Sequence, residues 1–318
     1  MPSFSCVVEN SVPSELRLDR YIAEYLKILS RSQIKARKLT ALLDGSSVKI
    51  SKTLRGGERL ELSWKEAESP FLVPQNLLLD VIYGDSRVIV VNKAQGMVVH
   101  PGAGNRQGTL ANALLYRRLA SNDALLLNDN SFNNNISSTS LRPGIVHRLD
   151  KDTSGVIIAA WDDEALAFLA DQFKARKVRK SYAAIVQGCP KDRQGFIEKR
   201  ITRSQKDRKT FTVSDSEGRQ SLTYYRVVRS WGNYSLLLLR PKTGRTHQIR
   251  VHMKCLGCPI LGDSIYGRAD SRFPSASLML HAKSLSLVLP DCEVPRMFRT
   301  ALPERFREVI RGLTQAKH

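Results

Sequence analysis

From Leu79 onward the chain is written in short β-branched and aliphatic runs closed off by Gly, Pro, Asp or Asn, and this pattern limits the folds open to it. The runs are Val81-Ile82-Tyr83, Val88-Ile89-Val90-Val91, Gly155-Val156-Ile157-Ile158-Ala159-Ala160, Ser181-Tyr182-Ala183-Ala184-Ile185-Val186 and Ser235-Leu236-Leu237-Leu238-Leu239. Each has the length and composition of a strand. Helical stretches fall between some of them, at Thr109–Leu119 and Asp163–Ala175, but without regular strand-helix alternation. The expectation is an α+β domain with a mixed, largely antiparallel sheet. Residues 121–140 are rich in Ser and Asn, with Asn133-Asn134-Asn135 inside them, and read as a flexible insertion.

Residues 16–64 follow a different pattern. Leu18, Tyr21, Ile22, Tyr25 and Leu26 recur at helical spacing, and Ser30 can cap a second helix carrying Arg31, Gln33, Lys35, Arg37 and Lys38. Val48-Lys49-Ile50 and Arg59-Leu60-Glu61-Leu62 then alternate like strands around a Gly56-Gly57 turn. A merely solvated basic helix would share much of this composition. Two helices followed by strands, with Leu18-Asp19-Arg20-Tyr21 and Ser30-Arg31-Ser32-Gln33-Ile34, resemble the S4-type RNA-binding domain. In place of that family's Asn-Gly strand turn stands the Val48–Arg55 stretch. The resemblance implies that Arg31, Gln33, Lys35, Arg37 and Lys38 contact RNA. The expected domains are 1–68, a linker 69–79 containing Pro70 and Pro74, and 80–318.

Fifty Lys+Arg against thirty Asp+Glu give a net charge of +20, with a pI near 10.0. Such an excess points to a polyanionic partner; a solubilising surface charge is the plainer alternative. No apolar run approaches the roughly 20 residues that span a bilayer. Met1–Glu15 contains neither Lys nor Arg, and five cysteines are scattered along the chain, so a cytoplasmic protein without a disulfide framework is expected.

The segment His147-Arg148-Leu149-Asp150-Lys151-Asp152-Thr153-Ser154-Gly155 joins the strand-like Ile145-Val146 to an apolar strand. Such a turn can present one carboxylate beside cationic neighbours, which keep it ionised and available as nucleophile or base. A structural salt bridge with a turn-forming Asp would read the same way. The segment resembles the central motif of the RluA-type pseudouridine synthase family, and other segments resemble that family in order. These are Asp85–Pro101, Arg179–Gly188, Pro241–His252, and Gly257–Asp263 with Tyr266-Gly267. Together they run from about residue 80 to 310.

That resemblance implies the pseudouridine synthase fold and a cofactor-free isomerisation. The N1–C1′ bond of a uridine breaks, the uracil turns, and C5 joins C1′. Asp150 is implied as the essential carboxylate, Tyr182 as the residue lying against the uracil, and Arg245 as the partner that holds Asp150 ionised. Tyr182 as a plain core aromatic is the alternative. A paired uridine must leave its helix to reach the site, and Arg148 is the candidate to fill the vacated space, with His147, Lys180 and Arg250 also assigned to RNA. At Cys258 the family often carries His, so that position receives no role.

Two other chemistries have partial signals in the chain. His247, His252, Cys255 and Cys258 suggest zinc, but on a helix residues 247 and 252 point about 140° apart at ~100° per residue, and no second Cys pair stands at zinc-ribbon spacing, so no metal is expected. Gly102-Ala103-Gly104 and Arg106-Gln107-Gly108 match neither a dinucleotide fingerprint nor a phosphate loop with its Lys, so no nucleotide cofactor is expected. This also argues against a methyltransferase. Lys174, Arg176, Lys177, Arg179 and Lys180 read as an RNA-backbone stripe, as do Lys199, Arg200, Arg203, Lys206, Arg208 and Lys209. A non-catalytic ribosome-assembly protein would be favoured by loss of Asp150, Tyr182 or Arg245, and all three are present. With the S4-like module in front, the implied substrate is large-subunit ribosomal RNA, with transfer RNA as the alternative.

Overall fold

A computed structural model describes residues 2–13, 15–65, 72–102, 104–122, 144–205, 207 and 210–315. The expected insertion therefore lies outside the described residues from position 123 on, as do 69–71 of the expected linker and Lys206, Arg208 and Lys209 of the second basic group. The chain divides into two compact units, Met1–Phe71 and Leu72–His318.

In the first unit, β1 (Ser3–Val7), β2 (Thr40–Leu43), β3 (Ser46–Val48) and β4 (Arg59–Ser63) form an antiparallel sheet in the order β1-β4-β2-β3. The expected first helix is short. It runs as α1 (Leu18–Arg20) and continues as a π-helical turn, Tyr21–Tyr25, which still buries Leu18 and Ile22. The second helix, α2 (Arg31–Ala36), starts on a capping box in which Ser30 and Gln33 exchange hydrogen bonds. The hairpin turn between β2 and β3 is Asp44-Gly45, both at positive φ, rather than a feature of the Val48–Arg55 stretch. Asp-Gly supplies the two positive-φ positions that a two-residue hairpin requires.

In the second unit the strands are β5 (Asp80–Gly84), β6 (Val88–Lys93), β7 (Gly144–Ile145), β8 (Ser154–Ala160), β9 (Arg179–Gln187), β10 (Gln194–Arg203), β11 (Phe211–Ser214), β12 (Arg219–Trp231), β13 (Tyr234–Pro241), β14 (Leu280–Val288) and β15 (Pro295–Arg299). They join in one sheet, ordered β11-β10-β12-β13-β9-β14-β8-β6-β5, with β15 on β14 and β7 on β8. Among the described residues every pairing in it is antiparallel except β14 with β8. The expected α+β class with a mixed, largely antiparallel sheet holds. The helices are α3 (Leu110–Asn122), α4 (Asp163–Lys174), α5 (Gln248–Cys255) and α6 (Glu304–Gln315). No described helix is long and apolar enough to cross a membrane.

Strand β8 is buried along its whole length, so its sequence is one apolar run without alternation. The long strand β12 escapes sequence reading for the opposite reason. Its inward positions include Ser221 and Thr223 as well as Tyr225 and Val227, while Tyr224 and Arg226 face solvent. The two buried hydroxyls contact the ring nitrogens of the buried His252 on α5, at 2.8 and 3.0 Å. A polar layer in the core thus hides the period-2 pattern.

Candidate active site

Asp150 sits in the turn that leads from β7 into β8. Leu149 beside it is buried among Val91, Leu110 and Ile157, and the Thr153 N–H donates to the Asp150 carbonyl at 3.1 Å. The segment after β6 grips the turn from its far side. Lys93 is buried and donates to the carbonyls of Ala94, Met97 and Lys151 at 2.8, 2.7 and 3.1 Å. Gly96 N–H and the Gln95 side chain add bonds to the carbonyls of Lys151 and Asp152, each at 2.9 Å. Burial pushes the Lys93 ammonium down to about 8, against the pull of Asp152 and Asp150. Gly155 completes the turn at φ +120, where a Cβ would stand 2.2 Å from the Ala282 carbonyl oxygen on β14.

The Asp150 side chain is 18% exposed at a cavity of about 680 Å³, a size typical of ligand sites. Tyr182 on β9, Lys180, Arg148, Arg245, His247 and Arg250 also line it. Arg250 Nη1 lies 3.6 Å and His247 Nε2 4.0 Å from Asp150 Oδ2. Among the described residues no donor comes within hydrogen-bond distance of either carboxylate oxygen. The carboxylate therefore has charge beside it and unused lone pairs. Tyr182 packs between two core clusters and its hydroxyl has no hydrogen-bond partner among the described residues. Burial, helped by the Asp150 charge, pushes its phenol upward, so the ring is neutral at physiological pH.

The ion-pair partner differs from the expected one. Arg245 lines the cavity, but its Nε donates to the Gln220 carbonyl at 3.2 Å and its backbone N–H to Gln248. Arg250 is the guanidinium beside Asp150. It is buried, and its Nε and Nη2 donate to the two oxygens of Asp263 at 2.8 and 2.7 Å. Arg250, expected among the RNA-binding residues, thus lines the cavity with two of its nitrogens held by Asp263. Burial alone would raise the Asp263 carboxyl, but hydrogen bonds and charge from Arg250 outweigh it and hold it below its ordinary value.

His147, also expected at RNA, is packed into the cavity wall. Its ring stacks on Phe173 at 4.6 Å, and its Nε2 accepts the Ile158 backbone N–H at 3.1 Å. Burial, with the Lys180 charge, pushes it down to about 3, so it is a neutral brace between α4 and β8. Arg148 is exposed at the rim. Lys180 reaches the Thr243 carbonyl at 3.4 Å, and Lys174 and Arg176 stand on the same wall. In the second basic group, Lys199 pairs with Asp215 at 2.6 Å and Arg200 reaches the Gly218 carbonyl.

In the first unit, Arg31 is drawn to Asp19 at 2.9 Å and Gln33 is spent on the helix cap, while Lys35 and Lys38 are exposed and Arg37 half-buried. His252 has both ring nitrogens hydrogen-bonded within the core, and among the described residues no group of three or more His, Cys, Asp or Glu is arranged to hold a metal.

Four residues of the site were given no role from sequence: Lys93, His247, Asp263 and Tyr266. Helix register was the signal for one of them, His247. Helix α5 begins at Gln248 with His247 as its N-cap, rather than Thr246, so His247 and Arg250 fall three residues apart and face the same way. Asp263 and Tyr266 lie beyond the helix, in a segment that resembled the family but gave no sign of which side chains reach Asp150.

The profile of the RNA pseudouridylate synthase family matches residues 87–254. The chain is 42% identical to the ribosomal large subunit pseudouridine synthase D of Borreliella burgdorferi over 297 residues, covering 92% of this chain and 87% of that one. An uncharacterized RNA pseudouridine synthase of Aquifex aeolicus is 39% identical, with 95% of each chain covered. Among solved structures, human RNA pseudouridylate synthase domain containing 4 superposes with a TM-score of 0.58 at 25% identity, covering 74% of this chain and 93% of that one.

Proposed function

The chain belongs to the RNA pseudouridylate synthase family, and we propose that it isomerises uridines of large-subunit ribosomal RNA with Asp150 as the essential carboxylate. One observation carries the assignment to Asp150: its carboxylate faces the cavity beside Arg250 and His247 with its hydrogen-bonding capacity unused. A fixed guanidinium beside the carboxylate orients it by charge and leaves its lone pairs facing the cavity, as a nucleophile or base requires. The reaction moves C1′ from N1 to C5 of the same uracil. The chain's part is to hold the uridine, supply one carboxylate and keep water out. Tyr182 offers a neutral aromatic wall for the base.

The target nucleotide has to be extruded to reach Asp150. Arg148, exposed at the rim, is placed to take the space it leaves or to hold a flanking phosphate, and Lys180, Lys174 and Arg176 continue the cationic wall. In the first unit, Lys35, Arg37 and Lys38 offer further backbone contacts in the manner of an S4-type module. The relative named for the ribosomal large subunit, together with the +20 charge, supports ribosomal RNA as substrate.

The test is pseudouridine mapping of ribosomal RNA from cells lacking this protein, complemented with wild type or Asp150→Asn. Wild type should restore defined large-subunit sites and Asp150→Asn none. If wild type restores no site, the ribosomal assignment is wrong; restoration by Asp150→Asn removes the carboxylate from the mechanism.

A further inference from the structure

We propose that His247 is a positioning residue for Asp150: Tyr266 locks it as the neutral tautomer whose Nε2–H faces the Asp150 carboxylate. The proposal rests on the reading of Asp150 as the essential carboxylate and adds what orients it.

Hydrogen-bond counting at the Tyr266 hydroxyl carries the tautomer. That oxygen accepts the Phe211 backbone N–H at 2.9 Å and lies 2.9 Å from His247 Nδ1. If Nδ1 carried a proton, both neighbours would donate to the phenol oxygen, and the phenol's own proton would have no acceptor among the described residues. With Nδ1 bare, the phenol donates to it and every group is used. The imidazole proton then stands on Nε2, the nitrogen 4.0 Å from Asp150 Oδ2. Burial lowers the ring's pKa, against the pull of Asp150 and Asp263, and the Arg250 and Arg148 charges add to the lowering, all of which favours a neutral ring.

Two further features separate this ring from an ordinary packed histidine. His247 is a non-glycine residue at φ 54, ψ 16, a backbone state that costs on the order of 1 kcal/mol or more and collects at working sites. It is also the N-cap of α5, yet its side chain makes no capping hydrogen bond. A cap side chain ordinarily takes a backbone N–H of the first turn. Here the ring is turned away from that task, and the edge-on rings of Phe211 and Tyr266, each with centroids at 5.6 Å, fix its plane.

Arg250 Nη1 and His247 Nε2 both address the same oxygen, Oδ2. Neither approach is a hydrogen bond, so the carboxylate keeps lone pairs for the substrate. In the substrate complex the 4.0 Å separation shortens to a hydrogen bond, as catalytic contacts commonly tighten there.

The test joins histidine nitrogen NMR with steady-state kinetics of the full chain. In wild type the unprotonated ring nitrogen of His247 should be Nδ1; in Tyr266→Phe the tautomers should mix. For Tyr266→Phe and His247→Phe, kcat should fall about tenfold to a hundredfold, as for other lost supports of a reacting group, with KM within about twofold. His247→Gln, which keeps an N–H donor, should recover part of the loss. A protonated Nδ1 in wild type overturns the proposal, as does wild-type kcat in a folded His247→Phe. If His247→Phe does not fold, the wild-type spectrum still decides. Activity of Asp150→Asn fails the underlying reading instead, whatever the tautomer.

Discussion

Asp263 takes two of the three nitrogens of Arg250, Nε and Nη2, at 2.8 and 2.7 Å, and so aims the third, Nη1, at Asp150. The pair is buried, and the Asp263 carboxylate also accepts the backbone N–H groups of Ile265 and Tyr266. A planar guanidinium held along one edge has a single orientation, which a lysine cannot reproduce.

Asp263→Asn should therefore lower kcat by roughly a hundredfold while costing about 3–5 kcal/mol of stability, since it leaves a buried charge short of its partner. Arg250→Lys should keep a positive charge near Asp150 and still lose most activity. Single-turnover rates with a urea melt of each variant separate the two effects. Near-wild-type turnover in Arg250→Lys would show that charge alone suffices.

Lys93 links the Ala94–Met97 segment to the turn after Asp150 through three carbonyl acceptors. In Lys93→Met the Ala94 and Met97 carbonyls lose this donor, while Lys151 keeps the Gly96 N–H. The expected cost is about 1–3 kcal/mol, chiefly for the half-buried Met97 carbonyl, since Ala94 is exposed and water can replace its donor, with a fall in kcat as the turn loosens. A denaturation midpoint unchanged from wild type would contradict the clamp.

Acid should destabilise the protein through buried histidines. Burial pushes His252 to about 4, and burial with the Arg305 and Lys283 charges does the same for His281. Between pH 6.5 and about 4 the unfolded chain binds protons that these rings refuse. Their contribution to stability is thus complete above pH 6.5 and is lost as pH falls through that window, by up to ~1.4 kcal/mol per pH unit for each ring. Urea midpoints at stepped pH check this, and His252→Gln should flatten the slope by about one proton.

Arg148→Ala should discriminate between RNA substrates. On a folded stem-loop, kcat/KM should fall about thirtyfold, equivalent to ~2 kcal/mol of lost help in extrusion. On an unstructured oligonucleotide, whose uridine is already accessible, the fall should stay within a few-fold. Equal losses on both would assign Arg148 to simple phosphate binding.

Much of this molecule was open to reading in its sequence. The run Gly155–Ala160 announced a strand because β8 is buried on both faces and needs no polar alternation. Ser30 and Gln33 announced a helix start because a capping box is a local device four residues long. Asp150 and Tyr182 were named from ordered motifs, and the fold sets both at one cavity.

What the tertiary structure alone decided were choices between near neighbours. Arg245 and Arg250 stand in one segment with the same chemistry. Where α5 begins, and Asp263 thirteen residues on, bring the second to Asp150 and send the first to Gln220. Likewise, β12 was hidden by Ser221 and Thr223, whose burial is possible only because His252 from a separate element meets their hydroxyls. Periodicity and capping are set by residues within a few positions of each other and are written along the chain. The partner of a buried charge or hydroxyl comes from a distant segment, and it exists only after the chain has folded.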